Sequence, residues 1–200
     1  MEAIADLKTK SICIATEPIW KLNIDQYHAM IAAGIIEEDT QLELLEGLLV
    51  VKMPKNPPHR ISTKLIRSAL EKIIPTGWYV DSQEPITLID SEPEPDIMVI
   101  RGKTTDYRDR HPQAKDLEIV IEVSDATLES DRTLKKRIYA KAGIPIYWIL
   151  NLSNRQLEVY TEPKIEESEY AKFQIFTEIE PITVTIKDID LGSLWVKDLL

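Results

Sequence analysis

The chain has one cysteine and no long apolar run, and each scarcity excludes a class of protein. The single cysteine, Cys13, excludes an intrachain disulfide framework and fits a reducing cytosol, where we expect it to be a small buried hydrophobe. No apolar run approaches the ~18 residues that a membrane-spanning helix needs, and the first residues lack the apolar core of a secretory signal. The sequence therefore predicts a soluble, cytoplasmic protein with no membrane partner.

Histidine is also scarce, and the overall composition is ordinary. His28, His59 and His111 lie far apart with no cysteine nearby, which excludes a zinc-finger pattern. A content of 44% apolar and 29% charged residues is that of a globular protein, and 200 residues suit one domain with a sizeable core. Because we see neither an internal repeat nor a dividing linker, we predict a single domain over residues 1–200.

An excess of positive charge is missing as well. The formal net charge of −10 argues against a nucleic-acid-binding protein when the chain is taken as a whole. The segment 47–70, however, contains no acid, and its cations are Lys52, Lys55, Arg60, Lys64 and Arg67. This basic strip could follow a phosphate backbone, or it could be the solvated surface of a helix and loop, and the pattern leaves both interpretations open.

A carboxylate interrupts the most strand-like stretch of the chain. Residues 117–127 are rich in β-branched apolar side chains, which predicts a buried strand with Glu122 at its centre. Burying an unpaired carboxylate is costly, so this group must be paired, protonated or bound to a metal. Alternation places Glu118, Glu122 and Ser124 on one face, and two acids on a core strand are expected at a functional site. The alternatives are a core Lys or Arg partner for Glu122, or a strand at an open edge.

Helical and strand patterns are mixed along the chain. Apolar spacing and capping residues predict helices at 22–34, 59–74 and 130–142. Strands are predicted at 78–89 (with a break near Glu84-Pro85), 96–100, 146–150 and 156–161. A strand pair is predicted at 41–53 with a bend at Glu46-Gly47, and short strands follow in 170–200. This mixture predicts an α/β or α+β sheet with helices on its faces.

Two further acids, Glu43 and Asp96, fall in predicted strands. If the strands of Asp96 and Glu122 are neighbours, their carboxylates can converge on one point. Two or three carboxylates without thiols or imidazoles form a hard oxygen site that suits Mg²⁺ or Mn²⁺. Such an ion lowers the pKa of a bound water and neutralises charge on a phosphoryl group.

The helix at 130–142 carries Asp131, Lys135 and Tyr139 in one stripe at i, i+4 and i+8. Lys135 could reach the proposed metal site and place an ammonium beside the attacking water or the scissile phosphate. From the spacing alone we favour the simpler interpretation, an exposed ion pair between Asp131 and Lys135.

The order of these motifs resembles a known family. ELLEGLLVV at 43–51, His59, PDIMV at 95–99, IEVS at 121–124 and DRTLKKRIYAKAGIPIYWIL at 131–150 are similar to the Uma-type family of putative restriction endonucleases, within the PD-(D/E)XK nuclease superfamily. The resemblance runs from about Trp20 to Tyr160. It implies a restriction-endonuclease-like α/β core with a mixed central sheet flanked by helices, to which we add antiparallel C-terminal strands, and divalent-metal-dependent hydrolysis of phosphodiester bonds.

The resemblance also implies roles for individual residues. Glu43, Asp96 and Glu122 are similar to the catalytic, metal-binding acids, with Mg²⁺ or Mn²⁺ as the expected cofactor. The superfamily lysine would stand two residues after Glu122, where this chain has Ser124, and Lys135 resembles the displaced catalytic lysine.

Two functions from different classes follow. The first is a DNA nuclease in which Lys135 orients or helps to deprotonate the water. Its expected substrate-binding residues are Lys52, Lys55, His59, Arg60, Lys64, Ser124 and Tyr139. The second is a catalytically silent nuclease-like fold that acts as a DNA- or protein-binding module. We expect DNA as a partner and a homodimer, for which Trp148, Trp195 and the apolar C-terminus are candidate surfaces, although core burial is their commoner fate.

Overall fold

A six-stranded mixed sheet forms the centre of the structure, a computed structural model that describes residues 18–37, 40–187 and 189–200. Its strands are β3 (Trp78–Asp81), β4 (Ile97–Arg101), β5 (Leu117–Ser124), β6 (Ile146–Asn151), β7 (Gln156–Lys164) and β8 (Glu169–Thr177), in that spatial order. β5 and β6 are parallel, and the other neighbours are antiparallel. A parallel pair needs a crossover connection, and here a helix supplies it. Cys13 lies outside the described residues.

Two hairpins flank this sheet. β1 (Leu42–Leu45) pairs with β2 (Leu48–Val51) through the two-residue turn Glu46-Gly47, in which both residues have positive φ. That backbone is the one that tight hairpin turns require, and the bend is where the sequence predicts it. β9 (Pro181–Ile186) pairs with β10 (Ile189–Trp195) as the C-terminal antiparallel pair.

Two of the described α-helices pack against the six-stranded sheet, and a third packs against β1. α1 (Ile24–Ala32) begins at Asn23, which forms a capping box, and α2 (Pro57–Glu71) begins at Asn56 with prolines in its first turn. The crossover helix α3 consists of a short α segment (Leu128–Ser130), a π turn (Asp131–Lys135) and a final α segment (Lys136–Lys141). In the part of the chain that the structure describes, no helix is both long and apolar enough to cross a membrane.

Each face of the sheet carries its own apolar core. On one face, Ile119 and Ile121 of β5 pack with side chains of α2 and the C-terminal hairpin. On the other face, Val120 of β5 packs with Ile138 and Tyr139 of α3. β5 is therefore buried on both sides over its whole length.

The fold class predicted from the sequence is confirmed, with local corrections. The strand predicted at 78–89 ends at Asp81. Glu118 does not share the face of Glu122, because it is the extra residue of a bulge against β4, and its carboxylate accepts a hydrogen bond from the backbone N–H of Lys187. Trp148 is only 2% exposed and belongs to the core, not to a dimer surface. The domain limits, the homodimer and the cytoplasmic location stay predictions.

Candidate active site

Asp96 and Glu122 lie side by side at one end of the β4–β5 pair. Ile97 pairs with Ile121 in antiparallel register, which places Asp96 opposite Glu122. Asp96 Oδ2 also accepts a hydrogen bond of 2.9 Å from the backbone N–H of Val123. Asp96 is 4% exposed and Glu122 is 3% exposed. The structure thus brings two buried carboxylates together, and such groups need compensating cations.

Two residues at and just before the start of α2 contact the carboxylate of Asp96. His59 Nε2 lies 2.9 Å from Asp96 Oδ2, and Lys55 Nζ lies 3.4 Å from Asp96 Oδ1. Burial raises the pKa of Asp96, but the hydrogen bond and charge of His59, the Val123 N–H and Lys55 together hold this pKa below its usual range. Asp96 is therefore held as a carboxylate.

Residues of α3 engage Glu122. Lys135 Nζ lies 3.0 Å from Glu122 Oε1, and the Tyr139 hydroxyl donates a 2.7 Å hydrogen bond to the same oxygen. Burial raises the pKa of Glu122, the ammonium of Lys135 opposes this, and nearby carboxylates, including Asp96, raise it further. The net pKa of Glu122 is raised even beside Lys135, so a further bound cation would be needed to hold this group fully as a carboxylate.

Glu43 of β1 completes the surroundings of Lys135. It is 6% exposed, its Oε1 accepts a hydrogen bond of 2.8 Å from the backbone N–H of Glu94, and the same oxygen lies 3.7 Å from Lys135 Nζ. Burial lowers the pKa of Lys135, but the carboxylates of Glu122, Glu43 and Asp131 outweigh burial and raise it. Lys135 is therefore an ammonium group held between acids from two different strands.

The π turn sets the position of Lys135. Asp131 begins this turn, and its buried carboxylate accepts hydrogen bonds from the hydroxyls of Ser124 at 2.6 Å and Thr127 at 2.7 Å. Its backbone carbonyl accepts a hydrogen bond from the Tyr147 hydroxyl at 3.0 Å. The interpretation of Asp131 and Lys135 as an exposed ion pair is wrong, because Asp131 is 2% exposed and Lys135 turns to Glu122. A π turn is a frequent feature of functional sites.

Ser124 and Tyr139, which the sequence analysis expects to bind substrate, lie buried inside the site. Each is 0% exposed, and each hydroxyl donates to an acid. Neither side chain is open to a substrate as it lies here, so we assign both to holding the site together.

The basic strip is divided between paired and open cations. Lys52 pairs with Glu94 at 2.7 Å, and Arg67 donates to Glu71 and to Ser82. Arg60 and Lys64 are exposed on α2 at i, i+4 spacing, and neither pairs with another described residue. The surface available to an anion is therefore smaller than the sequence suggests.

Sequence reasoning missed a second buried acid beside the site, which is paired with a half-exposed arginine. Glu158 of β7 is 0% exposed and accepts hydrogen bonds of 2.6–3.2 Å from Arg132 of the π turn. Asn151 and Tyr160 also donate to Glu158. An acid between Leu157 and Val159 in a strand pattern is the signal that could have found it. This pair fastens the π turn to the sheet three residues before Lys135.

The acids offer oxygen donors that suit a hard cation. Glu122 Oε2 and Glu43 Oε2 accept no hydrogen bond from another described residue, and Asp96 Oδ1 has only the ion pair with Lys55. As the described side chains stand, no three Asp, Glu, His or Cys groups are arranged to hold a metal ion. Mg²⁺ needs only one or two carboxylates and keeps several waters, so the donors fit this ion without a three-residue cluster.

Comparison with known proteins gives a family and a similar fold. No protein of curated function matches the sequence. A crystal structure of a putative nuclease of the DUF820 group from Anabaena variabilis ATCC 29413 is similar in fold, with a TM-score of 0.67 and 17% sequence identity over 89% of this chain and 97% of that chain. Residues 24–189 match the sequence profile of the Uma2 family, described as putative restriction endonucleases. Since the match covers most of the chain, the protein belongs to the Uma2 family.

Proposed function

We propose that this protein is a Mg²⁺-dependent endonuclease that hydrolyses DNA phosphodiester bonds at Asp96, Glu122 and Lys135. One observation carries the proposal: two buried carboxylates lie opposite each other on paired strands, and a lysine ammonium lies 3.0 Å from one of them. Membership in a family of putative restriction endonucleases and the nuclease-like fold support a nuclease.

Asp96 and Glu122 are the residues that would hold Mg²⁺, with Glu43 as a third ligand or as the acceptor of a bound water. Glu122 and Glu43 each have one carboxylate oxygen that accepts no hydrogen bond from another described residue, and Asp96 Oδ1 has Lys55 at 3.4 Å as its only described partner. A bound Mg²⁺ would supply a water of lowered pKa and neutralise charge on the scissile phosphate.

Lys135 acts as a hydrogen-bond donor and as a positive charge. Because the surrounding carboxylates raise its pKa, it keeps its proton and is not a general base in the structure as it stands. Its ammonium, fixed by Glu122 and by the helix that carries it, can orient a water and offset negative charge that develops on the phosphate. Tyr139 fixes the Glu122 oxygen to which Lys135 is bonded.

The test is cleavage of supercoiled plasmid DNA in Mg²⁺ or Mn²⁺, with EDTA as the metal-free arm. We expect nicking by the wild type, and a loss of at least about 100-fold in Asp96→Asn, Glu122→Gln and Lys135→Gln. Glu167→Gln, an exposed change in the β7–β8 turn, is the matched control and should cleave like the wild type. Wild-type cleavage by Asp96→Asn would show that the nuclease activity lies elsewhere or comes from a contaminant.

A second candidate function is a binding module on a nuclease-like fold. It is favoured by the side chains that already engage the acids, namely His59 and Lys55 at Asp96 and Lys135 at Glu122. Calorimetric titration with Mn²⁺ separates the two functions. A nuclease should bind the ion in a manner that Glu122→Gln removes, whereas a binding module should give the same trace for both proteins.

A further inference from the structure

Lys55 occupies the oxygen of Asp96 that a metal ion would need. The other oxygen, Oδ2, is held by the Val123 N–H at 2.9 Å and by His59 Nε2 at 2.9 Å. The remaining oxygen, Oδ1, has Lys55 as its only partner among the described residues, with Nζ at 3.4 Å. Two cations at one carboxylate oxygen repel each other, so an ion that binds there must displace this ammonium.

The ion pair of Lys55 is longer and more exposed to solvent than that of Lys135. The Lys55 side chain is 40% exposed, and its distance of 3.4 Å exceeds that of a strong charge-assisted hydrogen bond. The Lys135 side chain is 13% exposed, lies 3.0 Å from Glu122 and is also within 3.7 Å of Glu43. A half-exposed pair of this length contributes little stability, so Lys55 can leave at small cost while Lys135 stays.

The position of Lys55 gives the displaced ammonium a second partner. It lies in the Pro-rich connector between β2 and α2, just before the first turn of the helix that carries the exposed Arg60 and Lys64. A phosphodiester drawn to an ion at Asp96 brings negative charge to the place that Lys55 vacates. A lysine is a point-charge ligand for phosphate and needs no fixed geometry.

We propose that Lys55 is an exchangeable cation of the site. Without metal it neutralises Asp96 Oδ1, and with metal and nucleic acid bound it moves to a phosphate oxygen next to the scissile bond. This inference rests on the proposed function, since it requires the ion to bind at Asp96. It predicts effects of opposite sign on two affinities, which a purely structural lysine would not produce.

The experiment uses Lys55→Met, which removes the charge and keeps most of the length of the side chain. Lys164→Met is the matched control, because Lys164 also forms an exposed pair at 3.3 Å, with Glu167, and its removal changes the net charge equally. Mn²⁺ affinity is measured by the electron paramagnetic resonance signal of the free ion. Affinity for a short DNA duplex is measured by fluorescence anisotropy in Ca²⁺, across a series of salt concentrations.

We expect Lys55→Met to bind Mn²⁺ about 2- to 5-fold more tightly than the control variant, the range of a half-exposed ion pair. We expect it to bind the duplex more weakly, with the slope of log affinity against log salt reduced in magnitude by about one. Unchanged or weaker Mn²⁺ binding would overturn the exchange. Tighter Mn²⁺ binding with unchanged DNA binding would overturn the transfer to phosphate.

Asp96→Asn distinguishes failure of this inference from failure of the proposed function. If the wild type binds Mn²⁺ and Asp96→Asn does not, the metal site stands and only the Lys55 result decides the exchange. If Asp96→Asn binds Mn²⁺ like the wild type, the proposed metal site and the exchange are both refuted.

Discussion

Removing Arg132 should destabilise the protein more than removing its partner Glu158. Arg132→Leu leaves a carboxylate that is 0% exposed and that has, among the described residues, only Asn151 and Tyr160 as donors. Breaking a buried pair in this way costs ~3–5 kcal/mol. Because the Arg132 side chain is 38% exposed, water already screens part of the interaction, and we expect a loss of about 2–3 kcal/mol.

The reverse change leaves a different group behind. Glu158→Leu frees a guanidinium that can rehydrate at the surface, and its main cost is the buried hydroxyl of Tyr160, which loses its acceptor. We expect about 1–2 kcal/mol. The double variant should be about as stable as Glu158→Leu, which gives a coupling free energy of about 2–3 kcal/mol between Arg132 and Glu158.

Urea unfolding and thermal melting of the wild type, both single variants and the double variant measure this cycle. For a chain of this size, ~2–4 °C of Tm corresponds to 1 kcal/mol, so Arg132→Leu should lower Tm by about 4–12 °C. The reasoning is refuted if Arg132→Leu is as stable as Glu158→Leu, or if the losses of the single variants add in the double variant.

Three further predictions concern other parts of the chain. Burial raises the pKa of Asp116, but the hydrogen bond and charge of Arg110 and the Gln113 N–H together outweigh burial and lower the net pKa. Asp116→Asn should therefore reduce Tm at pH 7 by an amount worth about 1 kcal/mol, and the difference should shrink as the pH falls below about 4 and vanish below the lowered pKa of the folded state. Gly47→Ala should cost at least about 2 kcal/mol in urea unfolding, because φ is +81° and the new methyl would lie 2.9 Å from a backbone oxygen. Replacing Arg60 and Lys64 by Gln should weaken duplex binding equally for all sequences and reduce the salt slope by about two.

Local sequence patterns predicted the strands, helices and turns, whereas features that depend on how two of these elements pack together were not predictable. The apolar run of β5 and the Glu46-Gly47 turn are readable because neighbouring residues determine them. The bulge at Glu118 was not predictable in this way, since an extra residue is defined only against the partner strand. The Arg132–Glu158 pair joins residues that are 26 positions apart on a helix and a strand, and no spacing rule links them.

In the candidate site, too, some residues were predictable from the sequence pattern and others were not. Glu43, Asp96 and Glu122 are visible as acids in apolar strands, but Lys135 looks like a surface residue until the face on which α3 packs is known. The family resemblance identified Lys135 where the spacing did not. The cation at Asp96 could not be assigned from the sequence, because the basic strip contains five cationic residues and only Lys55 among them reaches the carboxylate.

The position of Lys135 depends on Ser124 through Asp131. The hydroxyl at the strand position tethers Asp131, which begins the turn that delivers the ammonium from the helix. Ser124→Lys would therefore not add a second working ammonium to the site. It would remove the hydrogen bond to Asp131 and crowd two ammonium groups around one set of acids, so a lysine at position 124 is compatible with this site only if position 135 changes as well.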